Sequence, residues 1–80
     1  MQTQNARRTF TAYVEYDPDT ALYVGTIPGL PGAHSQGATL DELKQNLEEA
    51  VCLVIEERQA RGEAVEVVPF VGIQQITVDV

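Results

Sequence analysis

The sequence predicts an α+β domain: a small, mostly antiparallel sheet in the order β-β-β-α-β, with one long helix on one face. Three observations carry this. Residues alternate in the period of a strand from Thr9 to Tyr16. Apolar residues then recur at helical spacing from Leu40 onward. Between these regions, two Pro-Gly pairs stand in "IPGLPG", Ile27 to Gly32.

In the first strand, Phe10, Ala12, Val14 and Tyr16 share one face, and Thr11, Tyr13 and Glu15 the other. Asp17-Pro18-Asp19-Thr20 is a turn, with Asp able to bond back to the backbone. Ala21 to Ile27 is β-rich and completes a hairpin. One Pro-Gly pair would make one turn, because proline presets φ and glycine accepts a positive φ. Two pairs define a shaped connection with Leu30 held between them. Ala33 to Gln36 forms a third short strand that ends at Gly37.

Thr39-Leu40-Asp41-Glu42 is a capping box, with its acids at the positive end of the helix dipole. Leu40, Leu43, Leu47, Ala50, Val51 and Val54 give the helix one apolar stripe, and it runs to about Arg61. Gly62 suits the position just past its end. Ala50 to Ile55 is apolar all round: either a helix middle sunk in the core, or a second stripe for a neighbouring subunit. Glu63 to Pro69 reads as extended, with Val65 and Val67 on one face. Gly72 to Val80 reads as the last strand, with Ile76, Val78 and Val80 in phase.

Eighty residues make one domain, residues 1–80, with residues 1–8 polar and expected to be flexible. A chain this short buries about 60% of the surface its unfolded form exposes, so a disulfide, a metal or a partner usually adds stability. Cys52, the single cysteine, cannot bridge internally and suggests a reducing, cytoplasmic setting. With His34 it is too little for a four-ligand zinc site, which leaves a partner, most simply a second copy of the chain as a dimer or higher oligomer. Neither a secretory leader nor a run of transmembrane length stands out. The chain carries twelve acids against five bases, a net charge of −7. That balance argues against direct DNA binding, which needs clustered Lys and Arg, and suits either simple solubility or a basic protein partner.

Catalytic signals are weak. His34 and Ser35 are strand neighbours and point to opposite faces, so they are no triad. Cys52 is expected to be buried and inert. Glu15, Asp17, Asp19, Glu48, Glu49 and Asp79 read as solvated charge rather than a Mg²⁺ site, and no phosphate-loop spacing occurs, so no cofactor is implied. One helix covers one sheet face only, yet both faces of the hairpin carry large apolar side chains, with Tyr13 opposite Phe10 and Val14, and Tyr23 and Ile27 opposite Leu22 and Val24. The alternation does not say which set meets the helix. The candidate partner-binding residues are Tyr13, Tyr23, Ile27, Pro28, Leu30, Pro31, Gly32 and His34. The Pro-Gly loop either preorganises Leu30 for a partner or packs it into the core.

A tyrosine-bearing strand (Tyr23), P-x-L-P-G (Pro28, Leu30, Pro31, Gly32), a short strand ending in Gly37, T-x-x-E (Thr39, Glu42) and E-A (Glu49, Ala50) stand in order. As a set they resemble the HicB-like antitoxins, over roughly Phe10 to Gly62. The resemblance implies a partial RNase H-like fold without nuclease activity. It also implies a protein that neutralises a small, basic, RNA-cleaving HicA-like toxin by covering it, and oligomers built from this domain. Many members carry a C-terminal DNA-binding segment, for which the strand-like stretch after Gly62 leaves no room, so direct DNA binding is not expected and a role in autoregulation stays open. Two other readings stay open: an oligomeric domain of unknown ligand, and a residual nuclease using Asp17 with Glu49.

Overall fold

A computed structural model describes residues 7–66 and 68–80. Three strands, β1 (Tyr13–Asp17), β2 (Leu22–Thr26) and β3 (His34–Gly37), precede one helix, α1 (Leu40–Ala60). The sheet is an antiparallel meander in the order β1-β2-β3. The register pairs Tyr13 with Thr26 and Tyr16 with Tyr23, then Thr26 with His34 and Tyr23 with Gly37. The expected flexibility of residues 1–8 falls mostly outside the described residues; Arg7 and Arg8 are exposed and irregular.

β1 starts later than the alternation suggests. Its partner β2 ends at Thr26, where the chain turns away, so Thr9 to Ala12 have no strand to pair with. The first turn forms as expected, with the Asp19 amide donating to the Asp17 carboxylate at 3.0 Å. Ala21 closes it at φ 57°, an uncommon conformation for a residue with a Cβ.

The Pro-Gly segment is a pair of tandem turns. The Leu30 amide donates to the Ile27 carbonyl at 3.2 Å, and the Ala33 amide to the Leu30 carbonyl at 3.1 Å. Each turn has proline second and a positive-φ glycine third, Gly29 at 82° and Gly32 at 93°, which is the type II signature. The Ile27 amide closes the loop onto the Ala33 carbonyl at 3.0 Å. Leu30 is thus the shared corner of both turns.

α1 begins at the box the sequence shows. The Glu42 amide donates to the Thr39 hydroxyl at 3.1 Å. The Glu42 carboxylate reaches back one residue further than expected, accepting from the Ala38 amide at 3.4 Å. Thr39→Ala should lower stability by about 1 kcal/mol, read as a shift in the urea midpoint, while Thr39→Ser should leave it nearly unchanged. At the other end Gly62 takes φ 73°, and its amide donates to the Gln59 carbonyl at 3.0 Å. Arg61 is exposed and pairs with Glu63 and Glu57; its hydrogen bond to Glu63, then the charges of both, raise its guanidinium pKa.

The helix lies over β3 and β2 and leaves β1 uncovered. The set it meets is the one that includes Tyr23, Gly25 and Ile27. Glycines make the close approach possible. A Cβ at Gly37 would lie 2.5 Å from the Leu43 amide nitrogen, and one at Gly25 would lie 2.8 Å from a Leu47 methyl. Leu43 and Leu47 are buried against this surface. A second cluster of Ile27, Leu30 and Ala33 is joined by Phe10, Ala12, Val51, Val54 and Val65. Two side-chain bonds pin the helix: Asn46 Nδ2 to the Gln36 carbonyl at 2.8 Å, and Arg58 to the Pro31 carbonyl at 3.4 Å.

Three expectations change here. The stretch Ala50 to Ile55 is not sunk in the core: Leu53 is 66% exposed, while Val51, Val54 and Ile55 are half-buried. Cys52 is exposed, not buried. The β-β-β-α part of the fold forms, but Gly72–Val80 has no strand structure and pairs with none of the described residues. A strand is defined by its neighbour's hydrogen bonds, and among the described residues this segment has no such neighbour. The expected shared face of Val65 and Val67 involves Val67, which lies outside the described residues.

Candidate partner-binding surface

The sheet face away from the helix is built by alternation in three registered strands. Thr26 has Tyr13 on one side and His34 on the other. Val24 is likewise flanked by Glu15 and Gln36. Tyr13 is 46% exposed, His34 and Thr26 are exposed, and Leu22 and Val24 are half-buried. Among the described residues no helix or strand packs over this face. It combines an aromatic ring, a histidine, aliphatic surface and Glu15, so it can meet a partner through apolar contact and opposite charge.

The eight residues singled out in the sequence fall into two groups. Tyr13, Pro28, Pro31, Gly32 and His34 are exposed, and the loop that carries the middle three leaves and re-enters the sheet beside the Thr26–His34 pair. Ile27 and Leu30 are not available for contact: they are 8% and 2% exposed. The loop therefore packs Leu30 inward and presents its prolines outward. The physical reason is geometric. Each turn reverses the chain about Leu30, which places that corner in the cluster with Ile27 and Ala33 against which Val51 and Val54 of α1 pack. Tyr23 is half-buried on the helix side, with its ring 5.1 Å from that of Tyr16 and tilted by 58°.

A second apolar surface was hidden from simple alternation. Because α1 does not cover β1, a groove of about 1100 Å³ opens between them, lined by Phe10, Ala12, Val14, Leu40, Leu47, Val51, Cys52 and Ile55, among others. The all-round apolar run in mid-helix was its sequence signal.

Among the described residues, no three His, Cys, Asp or Glu side chains come together in a way that would hold a metal ion. No helix among them is long and apolar enough to cross a membrane.

Residues 10–77 match the family described as the HicB_like antitoxin of bacterial toxin-antitoxin systems. A UPF0150 protein of Thermotoga maritima is 41% identical over 76 residues, covering 95% of this chain and 97% of that protein. A UPF0150 protein of Synechocystis is 36% identical over 72 residues, covering 90% and 97%. One of Archaeoglobus fulgidus is 38% identical over 69 residues, covering 86% and 93%. No solved structure matches the chain. The ordered set of Tyr23, the P-x-L-P-G loop and the capped helix is thus part of a likeness that runs nearly from end to end, and the chain belongs to the HicB-like antitoxin family.

Proposed function

We propose that this chain is a non-catalytic, cytoplasmic antitoxin that binds a small, basic, HicA-like RNA-cleaving toxin and covers its active surface. The observation that carries this reading is an uncovered sheet face with Tyr13 and His34 at its edge strands, in a chain of net charge −7. Tyr13, Pro28, Pro31, Gly32 and His34 form the contact surface. Ile27 and Leu30 act from beneath, holding the loop in shape, and Tyr23 braces the far end of the hairpin. Preshaping the loop lowers the ordering cost of binding. Acidic side chains speed encounter with a basic partner and reject acidic ones. The antitoxin works as a homodimer or a larger homo-oligomer.

The test is affinity capture of the tagged chain from its own host at low and then high salt. A small basic protein with RNA-cleaving activity should be retained at low salt, released at high salt, and inhibited while bound. Tyr13→Ala should weaken this complex about tenfold or more, equal to about 1.4 kcal/mol, without changing the helical circular dichroism. Recovery of the chain alone under gentle conditions would reject the toxin assignment and leave an oligomeric domain with another ligand.

A further inference from the structure

We infer that residues 72–80 are an exchange arm: each copy of the chain lays this segment into the groove between β1 and α1 of a second copy. This names the seam for the self-association proposed above and does not depend on the toxin. The first observation is the state of the segment itself. Ile73, Ile76, Val78 and Val80 are 74%, 78%, 64% and 117% exposed. Ile76, Val78 and Val80 alternate with Thr77 and Asp79, the pattern of a strand with one buried face. An unpaired, β-branched apolar segment is an aggregation hazard unless something pairs with it.

The second observation is how the segment leaves the body. Val68 rests on Gly29, and residues 68–72 pass beside Thr9–Tyr13. Beyond Gly72 the chain departs. The molecule measures 58 × 28 × 20 Å, with a radius of gyration of 15.4 Å. A compact domain of this length has about 12 Å. An arm reaching past its own body adds to such an excess.

The third observation is a receptor of the right kind. β1 is an edge strand whose backbone has pairing groups free along one side. Beside it, Val14 is 48% exposed and Leu40 57%, and both line the groove with Ile55. Residues 72–80 span roughly 30 Å when extended at about 3.3 Å per residue, enough to run past β1 and the segment before it. The arm would complete the expected β-β-β-α-β sheet, with its last strand supplied by the other copy. The other edge, β3, is only four residues long and lies under the helix, with the Gln36 carbonyl taken by Asn46. Two copies that exchange arms satisfy each other through a closed two-fold contact.

The full-length chain should have the mass of a dimer by light scattering. Ile76→Asp with Val78→Asp should raise its dissociation constant on the order of a hundredfold or more, with helical circular dichroism unchanged. Cys52, the single cysteine and a groove residue, supplies the positional test. Chains with Ile76→Cys, Val78→Cys or Val80→Cys are mixed as ¹⁴N and ¹⁵N forms and treated with a short bismaleimide. At least one should link its new thiol to the Cys52 peptide of the other isotope. A link only within one isotope, from a monomer, would mean that the arm folds onto its own groove and would overturn the exchange. A dimer that survives the double Asp substitution, or no link from any of the three positions, would overturn the arm as the seam while self-association stands. An unlinked monomer would overturn both.

Discussion

Leu30→Ala should cost about 2–5 kcal/mol of folding stability, among the largest losses expected from a single truncation in this chain. Leu30 is 2% exposed and is one of the two largest fully buried side chains. Its removal opens a cavity where the two turns meet Ile27, Ala33, Phe10, Val51 and Val54. A domain of this length holds roughly 4–12 kcal/mol in total, so the variant should sit close to half-unfolded in mild urea. Leu30→Met keeps the volume and should cost less than about 1.5 kcal/mol. Urea unfolding followed by circular dichroism checks both. The pair also separates two roles. If Leu30→Ala folded normally yet lost its partner, Leu30 would be a contact residue and the buried placement would be wrong.

Gly37→Ala should cost about 2–3 kcal/mol, and more than Gly25→Ala. Both glycines let α1 approach the sheet, but they meet different things. At Gly37 the new methyl would run into backbone: the Leu43 nitrogen at 2.5 Å, with the Glu42 carbonyl carbon and Leu43 Cα at 3.0 Å. Backbone in the first turn of a helix cannot step aside without losing the Thr39 cap and the Leu43-to-Thr39 bond of 2.9 Å. At Gly25 the methyl meets only the tips of Leu47 and Leu43, which can change rotamer. Chemical denaturation of both variants should therefore place Gly37→Ala lower. Equal midpoints would mean that the helix start moves freely over β3.

What the sequence made legible was local. The tandem turns follow from Pro28-Gly29 and Pro31-Gly32, where ring closure and a missing Cβ dictate φ within a few residues. The helix start at Thr39 and its end before Gly62 follow from caps that also act within one turn. Less legible was anything set by distant parts of the chain. Alternation in β2 defined two faces but not which one meets the helix; that choice rests on Gly25 and Gly37, which carry no hydrophobic signal. Ile27 and Leu30 both read as candidate contacts, and for Leu30 packing into the core was the competing reading. The run from Ala50 to Ile55 read as buried because its composition is apolar, whereas the missing cover over β1 exposes Cys52, and Leu53 lies exposed outside that groove. Gly72–Val80 has the period of a strand, and period cannot say whose strand it joins.

The meander has a kinetic consequence. β1 pairs with β2, β2 with β3, and the helix that follows packs back on β3 and β2, so every pairing in the sheet joins neighbours in sequence. Short loops close cheaply, and mixed domains of this kind fold faster than all-β ones, whose range is roughly milliseconds to seconds. Seating an arm on another molecule is second-order and slows with dilution. Freshly made chains at low copy number would then pass through a folded, single-copy stage whose duration is set by expression level. The amount of chain in the cell would govern how soon its sheet gains a fourth strand.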